Sequence, residues 1–118
     1  MSDGKTEDLL DIGKRHFRSR LAGGPEPLYI PQWDVTVYIK PAVNLLEMSE
    51  VLQLSREGKT AEAMCLTLMQ RVRDADGNPH FRKMQKTEML RDLDPDVLSF
   101  ILAQINKDEP DEDEIEKN

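Results

Sequence analysis

Alternating apolar and polar residues identify a β-strand near the middle of the chain. Over Val35–Ile39, three aliphatic residues alternate with polar or amphipathic ones, which places the aliphatic side chains on one face of the strand. Pro41 has no N–H for a sheet ladder, so the strand should end before it. The apolar run at residues 28–30 is short enough to be an edge strand. We therefore predict a small hairpin that turns over residues 31–34.

A helix is predicted directly after this hairpin, over residues 45–57. Asn44 and Glu47 stand three positions apart before an apolar run, which is the spacing of a capping box. Gly58 is the natural stop, because glycine readily adopts the left-handed conformation that ends many helices.

Two further helices are predicted on either side of this region. Residues 6–22 begin at a candidate cap, Thr6, and carry acids early and bases late, as the helix dipole favours. Residues 61–73 follow Thr60, a second candidate cap. The apolar arc of this later helix is wide, which predicts a second neighbour, either another helix of the chain or another subunit. The arc comprises Ala61, Met64, Cys65, Leu68, Met69 and Val72, with Ala63 and Leu66 outside it.

The C-terminal third of the chain predicts a short helix and a longer one. Residues 83–92 form the short helix, with Met84, Met89 and Leu90 pointing inward. Asp94 and Pro95 then open a helix that runs to about residue 107. Its predicted buried face comprises Val97, Leu98, Ile101, Leu102 and Ile105, with Phe100 pointing elsewhere. The fold class is therefore α+β, mainly α, with four to five helices and one short β-hairpin.

Charge divides the 118 residues into a nearly neutral body and an acidic end. Residues 108–118 hold seven acids and one base, a net of −6, and the whole chain carries −7, so residues 1–107 carry −1. We predict an N-terminal helix and linker at residues 1–27, a helical domain with the hairpin at residues 28–107, and a disordered acidic tail. The tail is either a solubilising segment or a docking segment for a basic partner.

The residues that most often carry chemistry are scattered in this sequence. Cys65 is the sole cysteine and lies on an apolar arc, which favours a small core residue over a nucleophile. His16 and His80 lack the spacing of metal ligands. The Asp74–Asn78 segment resembles the start of a calcium loop but lacks its later glycine and glutamate, so we interpret it as a turn. We predict no enzyme activity, no cofactor and no metal, and no apolar run reaches the length of a membrane span.

Basic residues concentrate in the first predicted helix, at Lys14, Arg15, Arg18 and Arg20. They could contact nucleic acid, but the rest of the body has no basic stripe, and we favour compensation of the helix dipole. A small DNA-binding regulator therefore remains an alternative function. A second alternative is a non-catalytic subunit or adaptor of a hetero-oligomer.

Taken in order, several segments resemble the tail assembly chaperones of long-tailed bacteriophages and prophages. The likeness covers residues 28–107 and implies a small cytoplasmic protein of the host that is absent from the finished virion. It also implies binding to the long helical tape measure protein and recruitment of tail-tube subunits, with self-association as a further expectation. The segments are Val35-Thr-Val-Tyr-Ile-Lys-Pro41, the capped helix, the Met- and Leu-rich helix after it, Asp74-Ala-Asp-Gly-Asn-Pro-His-Phe81 and Asp94-Pro-Asp-Val-Leu98.

A chaperone needs apolar surface for its client, and most of the Met and Leu residues are already assigned to the core. Apolar residues off the predicted core faces are therefore the candidate contacts for a client or another subunit. These residues are Leu46, Leu54, Leu66 and Phe100.

Overall fold

The computed structural model describes residues 8–107. Within that range the protein is a small, mainly α, α+β domain with a three-stranded antiparallel sheet, which confirms the predicted fold class. None of these helices is long and apolar enough to cross a membrane. In chain order the elements are α1 (Leu9–Ala22), β1 (Glu26–Ile30), β2 (Val35–Ile39), α2 (Leu45–Arg56), α3 (Thr60–Arg71), β3 (Val72–Arg73), a 3-10 turn (Lys83–Gln85), α4 (Lys86–Asp92) and α5 (Pro95–Lys107).

The predicted hairpin is present, and its first strand is longer than expected. β1 pairs antiparallel with β2 from Glu26 opposite Ile39 to Ile30 opposite Val35. The turn between the strands is fixed in part by the Tyr29 hydroxyl, which donates to the Asp34 carboxylate at 2.7 Å. This hydrogen bond raises the pKa of Tyr29.

A third strand stands where the sequence predicted the end of a helix. α3 ends at Arg71, and β3 pairs with β2 through Val72 opposite Ile39. The prediction that the helix reaches residue 73 was therefore wrong, because a partner strand more than thirty residues away captures this segment. Thr60 was also wrong as a cap: Lys59 holds that position, and no side chain caps α3.

The core lies between the sheet, α3 and α5. Its most deeply buried aliphatic residues come from three different elements, Ile30, Leu68 and Ile101, each fully excluded from solvent. Burying each of these side chains contributes about 2 kcal/mol relative to leaving it exposed. α3 also packs against α2 and α4, so the second neighbour predicted for its wide apolar arc belongs to the same chain.

The last two helices differ in how well their inward faces were predicted. α4 buries Met89, as expected, but Met84 and Leu90 are exposed, so their predicted inward orientation was wrong. A helix of seven residues has too few turns for its spacing to define a single face. α5 begins at Pro95 as predicted, and the Asp94 carboxylate accepts from the N–H of residue 96 at 2.9 Å. Of its predicted face, Val97, Leu98, Ile101 and Ile105 are buried and Leu102 is half-buried against the core. Phe100 is also half-buried against the core, so the prediction that it points elsewhere was wrong.

At both ends, some predictions concern residues outside the described range. α1 begins at Leu9 after Asp8, and the candidate cap Thr6 lies outside the described residues. The acidic segment 108–118 also lies outside them. The division at residue 27 stays a prediction.

Candidate protein-binding surface

The exposed side of α2 carries an apolar stripe. Leu45, Met48 and Leu52 are spaced by three and four positions, which places them on one face of the helix. They are 83%, 47% and 44% exposed. We call these three residues the α2 stripe. Exposed apolar side chains that are contiguous, rather than scattered singly, are typical of surfaces that bind other proteins.

Polar contacts hold α2 with this stripe outward. The predicted capping box is confirmed: Glu47 N–H donates to Asn44 Oδ1 at 2.8 Å, and Asn44 N–H donates to Glu47 Oε1 at 2.9 Å. Lys40 Nζ lies 3.3 Å from the same carboxylate. Gln70, which is buried in α3, donates from Nε2 to the carbonyl of Glu47 at 2.9 Å. One side of α2 is thereby tied to α3, and the opposite side faces solvent.

The end of α2 is also fixed locally. Gly58 has a φ of 79°, a left-handed conformation that glycine adopts without strain, which confirms it as the predicted stop. The Gln53 side chain donates to Glu57, and Lys59 lies 3.3 Å from the same carboxylate. The Gln53 bond first, and then Lys59, lower the pKa of Glu57.

The four residues predicted as partner contacts differ in exposure. Leu46 is 71% exposed, beside the α2 stripe. Leu54 is half-buried, and Leu66 and Phe100 are half-buried and pack against the hydrophobic core. Leu46 is therefore the most exposed of the four. Sequence reasoning missed the α2 stripe, although the spacing of Leu45, Met48 and Leu52 was a detectable signal.

A second exposed region lies on α1, which contains no buried residue. Leu9 and Leu10 are exposed near its start, whereas Phe17 and Leu21 are half-buried further along. The end of this helix is attached by Arg20, whose guanidinium donates to the carbonyl of Pro41 at 3.4 Å. α1 therefore presents apolar side chains as well as the basic cluster.

A shallow apolar groove of about 300 Å³ lies beside the hairpin. Trp33 and Phe81 form one part of it, with an edge-to-face contact at a ring separation of 6.4 Å. This contact anchors the loop after β3 to the hairpin. The groove is lined by Trp33, Val35, Val37, His80, Phe81 and Leu93.

The residues that the sequence offered as candidates for catalysis or metal binding lie in environments that do not favour either. Cys65 is buried, and burial first, with Glu62 nearby, raises the pKa of its thiol, which makes it a poor nucleophile. His16 and His80 are exposed. Asp74 forms the predicted turn, accepting from the N–H groups of residues 76 and 78 at 2.9 Å. Among residues 8–107, no group of three or more metal-binding side chains comes together.

Comparison with solved structures finds a likeness to the tail assembly chaperone of bacteriophage HK97. The match has a TM-score of 0.60 at 16% sequence identity and covers 80% of this chain and 94% of that chain. The protein therefore has a fold like that of a phage tail assembly chaperone. No protein-family model and no curated protein sequence matches the chain.

Proposed function

We propose that this protein is a phage tail assembly chaperone that binds the tape measure protein and keeps it soluble. The observation that carries the proposal is the fold, which is shared with the HK97 chaperone over 94% of that chain. The order of segments that suggested this family in the sequence supports the same function independently. In this role the protein acts in the host cytoplasm, helps to recruit tail-tube subunits and does not remain in the finished virion.

We propose the α2 stripe and the adjacent Leu46 as the contact surface for this client. A long helical client exposes apolar side chains at helical spacing before it is enclosed, and such a face can pair with a second apolar helix. The α2 stripe offers the matching geometry, since Leu45 and Met48 are three residues apart and Met48 and Leu52 are four apart. Its leucine and methionine side chains are also adaptable, which suits a client with many similar segments.

A co-expression experiment tests the proposal. The protein would be produced together with a long helical tape measure protein, and the soluble fraction of the tape measure protein would be measured. We expect a several-fold increase over expression of the tape measure protein alone. No increase would overturn the chaperone function.

A pair of matched double variants tests the contact surface. Met48→Gln with Leu52→Gln changes the α2 stripe, and Met84→Gln with Leu90→Gln makes the same chemical change at exposed residues near and in α4. We expect the first variant alone to lose most of the gain in solubility, with urea unfolding showing that both remain folded. Equal effects of the two variants would leave the chaperone function standing and overturn this choice of surface. Leu46→Gln, measured alone, shows whether the surface extends to the side of α2.

A further inference from the structure

The basic helix α1 and the acidic segment 108–118 have opposite charge. Leu9–Ala22 contains four bases and one acid, and residues 108–118 contain seven acids and one base. Lys14 and Arg18 are exposed and four positions apart, so they lie on one face of α1.

The fold places the end of α5 beside the strand that follows α1. Gln104 and Lys107, in the last turn of α5, line one groove of about 150 Å³ together with Glu26, Pro27 and Leu28 of β1. β1 in turn begins four residues after α1 ends at Ala22. Lys107, the last residue before the acidic segment, therefore lies beside the strand that follows α1 in the chain.

The acidic segment is long enough to follow the whole of α1. Eleven residues can span up to about 36 Å when extended. The fourteen residues of α1 rise over about 21 Å. The carboxylates can therefore reach Arg18 near the end of the helix and Lys14 in its middle.

We propose that residues 108–118 lie along the basic face of α1 in the same chain, held mainly by electrostatic attraction. Attachment to α5 keeps the acidic segment at a high local concentration beside α1, so individually weak ion pairs are sufficient. In this arrangement the acidic segment shields the basic helix from other anions.

Paramagnetic relaxation in the full chain tests this contact. Asn118→Cys adds one reactive thiol without removing an acid, and native Cys65 is 1% exposed and so resists labelling. A nitroxide at residue 118 should broaden the amide signals of α1 in dilute protein at low salt. The broadening should disappear in 0.5 M salt, where the screening length falls to about 4 Å.

Charge variants in the labelled protein separate this contact from a general charge effect. Lys14→Glu with Arg18→Glu should reduce the relaxation on α1 by about threefold or more, since two exposed ion pairs are replaced by repulsion. Arg82→Glu with Lys83→Glu makes the same change in net charge elsewhere and should leave the relaxation unchanged.

Three results would overturn the proposal. The first is broadening on α1 no greater than on α4. The second is an equal loss in the two charge variants. The third is broadening that appears only when spin-labelled and isotope-labelled molecules are mixed, because that result would assign the contact to a second copy of the chain.

Discussion

Helices α2 and α3 are consecutive, each has twelve residues and both are rich in Leu and Met, yet only α3 is buried. α3 contains six buried residues, including the polar Gln70 and Arg71, whereas α2 contains none. The difference lies in position, because α3 stands between α2, α4 and α5, while α2 covers only one side of α3. Similar apolar residues therefore belong to the core in α3 and to the exposed surface in α2. Matched substitutions in the two helices test this distinction.

The largest expected difference comes from removing one leucine side chain from each helix. Leu68→Ala leaves a cavity at a fully buried position in α3 and should lower the free energy of unfolding by about 3 kcal/mol. Leu52→Ala removes an exposed side chain of the α2 stripe and should cost less than about 1 kcal/mol. Urea unfolding followed by circular dichroism measures both. Similar losses would show that α2 is also packed in solution.

The next difference concerns the arginine in the last turn of each helix. Arg71 is buried, and its Nε donates to the carbonyl of Lys40 at 2.7 Å. Arg71→Met leaves that carbonyl without this donor and should cost about 2 kcal/mol. Arg56→Met, at the exposed end of α2, should change the free energy of unfolding by less than about 1 kcal/mol. Urea unfolding measures both variants. An unchanged free energy of unfolding for Arg71→Met would contradict the structural role of this bond.

The two helix starts should differ by a smaller amount, and in the opposite direction. Asn44→Ala removes the capping side chain of α2 and should cost about 1 kcal/mol. Thr60→Ala should change the free energy of unfolding by a few tenths of a kcal/mol, since no side chain caps α3. Thermal unfolding of the two variants measures the contrast. A larger cost at Thr60 would restore it as the cap that the sequence predicted.

The smallest expected effect is a pH dependence of stability from two carboxylates, Asp74 in the turn after β3 and Glu57 at the end of α2. The N–H of Asn78, with that of Asp76, lowers the pKa of Asp74 below its usual 3.8. Asp74 therefore contributes stability above that pH, and the contribution is lost as the pH falls from 3.8 through the lower folded pKa. Asp74→Asn, which keeps an acceptor but does not titrate, should make the acid limb of an unfolding curve shallower.

The effect of salt on the pH dependence of stability distinguishes Asp74 from Glu57. The pKa of Glu57 is lowered from 4.5 by the Gln53 side chain and by Lys59, so its contribution is lost as the pH falls below 4.5. Only the part due to Lys59 is an exposed ion pair, which 0.5 M salt should screen. The acid limb assigned to Asp74 should persist in that salt. Its disappearance would contradict backbone hydrogen bonding as the cause.

Local signals in the sequence were sufficient wherever neighbouring residues determine the conformation. The Asn44–Glu47 box, the Gly58 stop and the Pro95 start each depend on contacts within a few positions, and all three were predicted correctly. Val72 could not be assigned in this way, since its strand conformation depends on Ile39, far away in the sequence. The inward face predicted for residues 83–92 was wrong at Met84 because that residue lies in a 3-10 turn outside α4.

The exposure of the predicted contact residues followed from the sequence only in part. Leu46 is exposed, as a contact residue must be, but Leu66 and Phe100 lie against the core. Leu45, Met48 and Leu52 look like a core face in the sequence, because spacing shows that residues share a face without showing what covers it. The side of α2 that faces α3 is fixed by the hydrogen bond from Gln70 to the Glu47 carbonyl. Because these residues are 23 positions apart, local spacing could not predict it.

The bonds between Lys40 and Arg71 have a consequence for the order of folding. The backbone N–H of Lys40 donates to the Arg71 carbonyl at 2.8 Å, and Arg71 Nε donates back at 2.7 Å, which closes a loop that contains α2 and most of α3. Closing a flexible loop of about thirty residues costs about 3 kcal/mol in chain entropy. Prior pairing of α2 with α3 across the Gly58 turn brings these ends together. We therefore expect the helical pair to form early and β3 to join the sheet late. The turn at Gly58 should then set the speed at which β2 and β3 pair, although it is adjacent to neither strand in the sequence.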